Sequence, residues 1–119
     1  MSLTWHKLVM GDSRDMHEIA DDSVHLVVTS PPYWRLKDYG TENQIGQSSR
    51  SYEEYLAMLA DVFKECVRVL GPDGKLCINI MPIFLTGENS PFGRRVTKLV
   101  LPDLEIMMER TGKMYFHSL

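Results

Sequence analysis

The sequence predicts an α/β fold in three layers, a mainly parallel sheet with helices on both faces. Three observations predict it. Apolar runs of strand length alternate with amphipathic helical stretches, in the order strand, helix, strand, helix, strand, helix, strand, which indicates right-handed βαβ crossovers. The run "VHLVV" at 24–28 is β-branched and almost continuously apolar, the pattern of a strand covered on both faces. The length of 119 residues, with 44% apolar and 24% charged side chains, suits one small globular domain spanning 1–119.

The elements follow in order. "KLVMGD" at 7–12 reads as a strand closed by a turn at Gly11 and Asp12. Asp12 or Ser13 can cap a short helix with Met16, Ile19 and Ala20 on its apolar face, broken at 21–23. After the 24–28 strand, the polar, glycine-containing stretch 35–50 has no period and reads as a long loop, functional or mobile. Ser51 and Glu54 then form an S-x-x-E capping box, and the apolar residues from Tyr52 to Leu70 recur at helical spacing. "GPDG" at 71–74 stops that helix, and "KLCINI" at 75–80 is a strand. Residues 81–98 read as irregular. Pro102 opens a helix with Leu101, Leu104, Met107 and Met108 on one face, Gly112 ends it, and "KMYFHSL" at 113–119 begins a further strand.

Several classes are disfavoured. No apolar run reaches the roughly 18 residues of a membrane span, and the N-terminus lacks a signal-peptide layout, so a cytoplasmic location is expected. Cys66 and Cys77 have no ligand spacing, so no metal site is expected and both are read as reduced core residues. The net charge of −3 is no nucleic-acid footprint, so any DNA-binding surface is local. Arg94 and Arg95, and Arg35 and Lys37, are candidates for phosphate contact, though an isolated basic pair is more often solvated surface. The four histidines are scattered without common spacing and read as structural or solvent-facing.

The chemistry gathers at "TSPPYW", 29–34, directly after the apolar strand. In an open α/β sheet, ligands bind beyond the carboxyl ends of the strands. Pro31 and Pro32 have no N–H, so this turn offers acceptors: the Ser30 hydroxyl and the carbonyls of Ser30, Pro31 and Pro32. The fixed proline φ makes those acceptors rigid. Tyr33 and Trp34 add flat surfaces for a heteroaromatic ring. An exocyclic amino group on a planar base meets these demands, and two acceptors drawing on its hydrogens localise the nitrogen lone pair for attack on an electrophilic methyl group. The plainer alternative is a Pro-Pro turn that ends a strand, with Tyr33 and Trp34 as core aromatics.

"TSPPYW" resembles motif IV of the DNA amino-methyltransferases, and "GDSRDMHEIADDSVHLVVTSPPYW" resembles the beta class, where "GD" shortly precedes that motif. "SYEEYLAMLADVFKECVRVLGPDGKLCINI", "GENSPFGRR" and "LPDLEIMMERTG" have counterparts in the same class. The resemblance implies a Rossmann-like methyltransferase fold, incomplete here, and transfer of a methyl group from S-adenosyl-L-methionine to adenine N6 or cytosine N4. It implies that Ser30 and the Pro31 carbonyl accept from the target amine, that Pro32 holds the turn, and that Tyr33 stacks on the flipped base. Trp34 lines the base pocket or packs, and Asp12 faces the cofactor's adenine or caps a helix. Ser30 at the first motif position leans towards cytosine N4. A cysteine nucleophile for C5 methylation is disfavoured, since neither Cys66 nor Cys77 follows a proline.

The family's glycine-rich F-x-G-x-G cofactor turn has no match in these residues, nor has a target recognition region. The sequence therefore resembles the N-terminal, catalytic half of a site-specific enzyme, of the kind found in restriction-modification, whose partner is double-stranded DNA. Two further expectations follow: weak or absent binding of S-adenosyl-L-methionine by this chain alone, and homo-oligomers formed through an unpaired sheet edge or exposed helix face. The rival from another class is a non-catalytic remnant or interaction module.

Overall fold

The computed structural model describes residues 1–47, 51–88, 90, 92–115 and 117. Its elements are β1 (Val24–Thr29), α1 (Tyr52–Val69), β2 (Leu70–Ile78), β3 (Ile83–Leu85), β4 (Val96–Lys98) and α2 (Val100–Glu109). β1 and β2 pair in parallel with α1 as the crossover between them, while β3 and β4 form an antiparallel pair.

α1 forms where the periodicity places it. The Ser51 hydroxyl accepts the Glu54 N–H at 3.1 Å, the forward half of the capping box, and Glu53 and Glu54 suit the positive end of the helix. Its buried face carries Tyr52, Tyr55, Leu59, Phe63 and Cys66. Trp34, Ile83, Leu85, Val100, Leu104 and Met108 complete the core around it. α2 likewise matches its expected face, since Leu104 and Met108 are buried, and Gly112 at φ +68° marks the stop.

"GPDG" does not separate α1 from β2. The strand begins at Leu70, and the register passes from Val24↔Leu70 to Leu26↔Lys75, so the four turn residues loop out of the ladder as a bulge. Stretch 81–98, expected to be irregular, contains the β3–β4 hairpin. "IFL" alternates, with Ile83 and Leu85 buried and Phe84 exposed, but three residues among prolines and glycines are too few for the period to register.

Four expectations fail locally. Residues 7–12 form no strand and are exposed, because no described strand lies alongside to supply ladder partners. Residues 13–20 form turns rather than a helix: local bonds such as Asp15 N–H to the Asp12 carbonyl at 3.0 Å, and ties to α1, replace the helical ladder. The 24–28 strand is covered on one face only. Val27, Leu76 and Ile78 pack on the core, whereas Leu26 is 53% and Val28 70% exposed, with Cys77 exposed beside Val28 rather than buried. Of 113–119, the described residues 113–115 and 117 form no strand, and the others lie outside the described residues.

The ties to α1 are specific. Glu65 accepts the Met16 N–H at 2.7 Å, and Arg68 donates to the carbonyls of Met16 and Ile19, both at 2.9 Å, and to Asp21 at 2.6 Å. Asp22 and Ser23 N–H groups bond the Arg68 and Val69 carbonyls at the end of α1. This clamp feeds the chain into β1, and β1 delivers it to the site.

Candidate active site

The last ladder bond, from Asn79 N–H to the Thr29 carbonyl at 2.9 Å, releases the chain from the sheet at Ser30. The turn that follows lies just beyond the carboxyl end of β1, where an open α/β sheet places its ligands. Ser30 is exposed, Pro31 buried, Pro32 and Tyr33 half-buried, and Trp34 fully buried.

The acceptors divide into two sets. The Pro32 carbonyl is taken by the Tyr55 hydroxyl, which donates to it at 2.7 Å. The Ser30 hydroxyl and the Ser30 and Pro31 carbonyls receive no hydrogen bond among the described residues. The turn therefore presents a smaller set than the four acceptors counted in the sequence.

Trp34 is a packing residue, not a pocket wall. Its ring is tilted against Tyr52 with centroids 5.4 Å apart and stacked on Tyr55 at 6.3 Å. Its backbone has φ +31°, a left-handed conformation that a bulky residue holds only when its surroundings impose it. Those surroundings include Gly46, at φ +86°, where an added Cβ would lie 2.9 Å from both Trp34 Cα and Tyr55 Cδ2.

A cleft of about 500 Å³ opens beside Ser30 and Pro32, and Asp12, Ser13, Tyr39 and Gln44 are among its other walls. The structure thus brings Asp12 and the proline turn together across 18 residues of sequence, although the expected intervening helix is absent. Tyr33 and Trp34 are not part of this lining. A smaller apolar cleft, about 210 Å³ between α1 and the end of α2, carries no such acceptor set.

Asp12 caps no helix. Its carboxylate accepts the Arg14 backbone N–H at 2.9 Å and the guanidinium at 2.5 to 3.0 Å. These bonds hold its carboxyl below the usual carboxylate range, so it faces the cleft ionised. Arg14 also reaches the Asn43 carbonyl at 3.5 Å, joining this turn to the opposite wall.

That wall is an ordered loop. The buried Gln44 side chain donates to the Lys37 carbonyl at 2.6 Å and accepts the Tyr39 N–H at 2.5 Å, closing residues 37–44 on themselves. Tyr39 is half exposed, with the Lys37 ammonium 5.2 Å from its ring. Sequence reading missed Tyr39, Gln44 and Tyr55. The first two sit in a stretch without period, and Tyr55 is hidden in a helix where its ring reads simply as core. Among the described residues there is no cluster of three His, Cys, Asp or Glu that could hold a metal ion, and no helix is long and apolar enough to cross a membrane.

The family model described as DNA methylase, of the N6/N4 type, matches residues 24–118. The Type II methyltransferase M.SmaI of Serratia marcescens is 39% identical over 82 residues, covering 68% of this chain and 28% of the relative. M.Cfr9I of Citrobacter freundii is 40% identical over 89 residues, covering 74% and 29%. Among solved structures, a putative DNA modification methylase from Thermus thermophilus, complexed with S-adenosyl-L-methionine, superposes with a TM-score of 0.63 at 33% identity, over 86% of this chain and 39% of that one. The α/β, Rossmann-like sheet is therefore shared, and incomplete here. This chain spans less than a third of the length of those two curated relatives. Asp12 precedes the matched residues, whereas the whole proline turn, Tyr39 and α1 fall inside them. With residues 24–118, most of this chain, matched by the family model, the chain belongs to the DNA methylase family.

Proposed function

We propose that this chain carries the catalytic part of a DNA methyltransferase acting on the exocyclic amino group of a base turned out of double-stranded DNA. The observation behind this reading is the cleft at the end of β1, lined by Ser30, Pro32 and the ionised Asp12, together with acceptors at Ser30 and the adjoining Pro31 that have no internal partners among the described residues. An amine bound there donates its two hydrogens to this set, and the same acceptors would stabilise the positive charge that grows on nitrogen as the new N–C bond forms and the methyl donor's S–C bond breaks to leave a thioether, one amine proton then passing to solvent. Pro32, tied down through Tyr55, keeps the set in place. Tyr33, half-buried next to the turn, stacks on the flipped base, for a return of about 1 to 3 kcal/mol against an unstacking cost of a few.

S-adenosyl-L-methionine, carried by the Thermus relative, supplies the electrophilic methyl group. The residues here fit part of it: a cleft of about 500 Å³ and an ionised Asp12, most of whose lone pairs Arg14 already occupies. With no F-x-G-x-G turn in these residues, the chain alone binds it weakly, and calorimetric titration giving a micromolar constant would contradict that. Ser30 at the first motif position favours cytosine N4 over adenine N6.

A chimera is the test. This chain replaces its matching segment in M.Cfr9I, the product DNA is digested, and the nucleosides are weighed. N4-methylcytosine is the expected product. N6-methyladenine would keep the amine chemistry and reverse the base, and an inactive chimera beside an active parent would refute the reading.

A further inference from the structure

We infer that Tyr55 is a positioning residue for the acceptor turn, holding the Ser30 and Pro31 acceptors in place by anchoring the carbonyl that follows them. This deepens the amine-methylating role proposed above and rests on it. Three observations converge. The Tyr55 hydroxyl donates to the Pro32 carbonyl at 2.7 Å, which leaves the acceptors at Ser30 and Pro31 for a ligand. The Tyr55 ring stacks on Trp34 at 6.3 Å and 21° between planes, against the residue whose left-handed φ of +31° directs the chain out of the turn. Gly46, the end of the loop that forms the far wall, packs so closely on Tyr55 and Trp34 that no Cβ fits, so wall and turn meet on one side chain.

Tyr55 is fully buried on α1, a rigid element, and so suited to fix a turn. Burial pushes its phenol up to about 12, with a hydrogen bond accepted from the Trp34 backbone N–H opposing in part, so it remains a donor at neutral pH. The two prolines stiffen the turn internally but do not fix its orientation relative to the sheet. Tyr55 supplies that link, 23 residues away in sequence.

Tyr52 is the internal control. It packs on the same Trp34, but its hydroxyl donates to Asp103 at 2.6 Å, away from the turn. Tyr55→Phe and Tyr52→Phe each remove one hydroxyl and keep the ring. In the 119-residue chain, hydrogen exchange of the amides at 33–36, including the Leu36 N–H bonded to the Tyr33 carbonyl at 2.8 Å, is expected to quicken at least tenfold in Tyr55→Phe and to change less than twofold in Tyr52→Phe. In the chimera, Tyr55→Phe is expected to lower kcat at least tenfold with KM for DNA within twofold, and Tyr52→Phe to leave both near parental. Unchanged exchange in Tyr55→Phe, parental kcat, or equal effects from the two variants would each overturn the inference. A parental chimera without methyl transfer refutes the functional reading instead, and the exchange comparison then still decides whether Tyr55 anchors the turn.

Discussion

In the proposed site Pro31 and Pro32 would act through what they lack, since without N–H groups the turn cannot satisfy its own acceptors. Tyr33, the ring proposed to stack on the base, is half-buried and packed against the core rather than fully enclosed like Trp34. Tyr33→Ala in the chimera is expected to slow methyl transfer by the loss of about 1 to 3 kcal/mol of stacking, with a smaller effect on stability. Turnover at the parental rate on duplex DNA would remove Tyr33 from the site and leave Tyr39 as the ring available in the cleft. Gly46 is the opposite case, a residue needed for its missing side chain. Gly46→Ala places a Cβ 2.9 Å from the Trp34 backbone at a φ of +86°, so a loss of about 2 kcal/mol or more is expected in denaturant unfolding. Gly40, at φ +79° with open space around it, should lose less on the same change, because only its backbone conformation is opposed.

α1 is the element on which the site is assembled, since it holds the proline turn through Tyr55 and the entry to β1 through Glu65 and Arg68. The Arg68 side chain, with the Met16 N–H, holds the Glu65 carboxyl down at about 2, against 4.5 in the unfolded chain. A depressed carboxylate contributes stability that is complete above the unfolded value and is lost as pH falls through the folded one. Exchange protection of the Met16 amide should therefore fall from about pH 4.5 towards 2, and Glu65→Gln should abolish that dependence. Protection that stayed flat over this range would show that the clamp is not ionic. α1 was legible in the sequence because one cap and five turns of apolar period agree, and the proline turn because two prolines and two aromatics directly follow a strand. The clamp was not legible. Its partners are 47 to 52 residues apart and its backbone takes no regular form, so neither period nor composition carries a trace of it. Nor was the β3–β4 hairpin, whose strands have three residues each.

At the scale of the whole molecule, the sheet departs most from what its residues imply. "VHLVV" is composed for burial on both faces, yet Leu26 is 53% and Val28 70% exposed, and β1 pairs with β2 alone among the described strands. Cys77 continues the same bare face opposite Val28, and the exposed Trp5, Leu8 and Met10 lie in a segment without secondary structure. An apolar strand with an unpaired edge is a template for pairing, and a large exposed apolar patch marks an interaction surface. The 119-residue chain is therefore expected to be a dimer or higher oligomer, with a two-fold contact the commonest solution. Val28→Lys places a charge on that face without touching the core, so it should shift the mass in light scattering towards the monomer. A parental chain that is monomeric at every concentration up to tens of micromolar would mean that the bare face is held from self-pairing by its own twist and by Lys75 beside Leu26, and the association argument would fail.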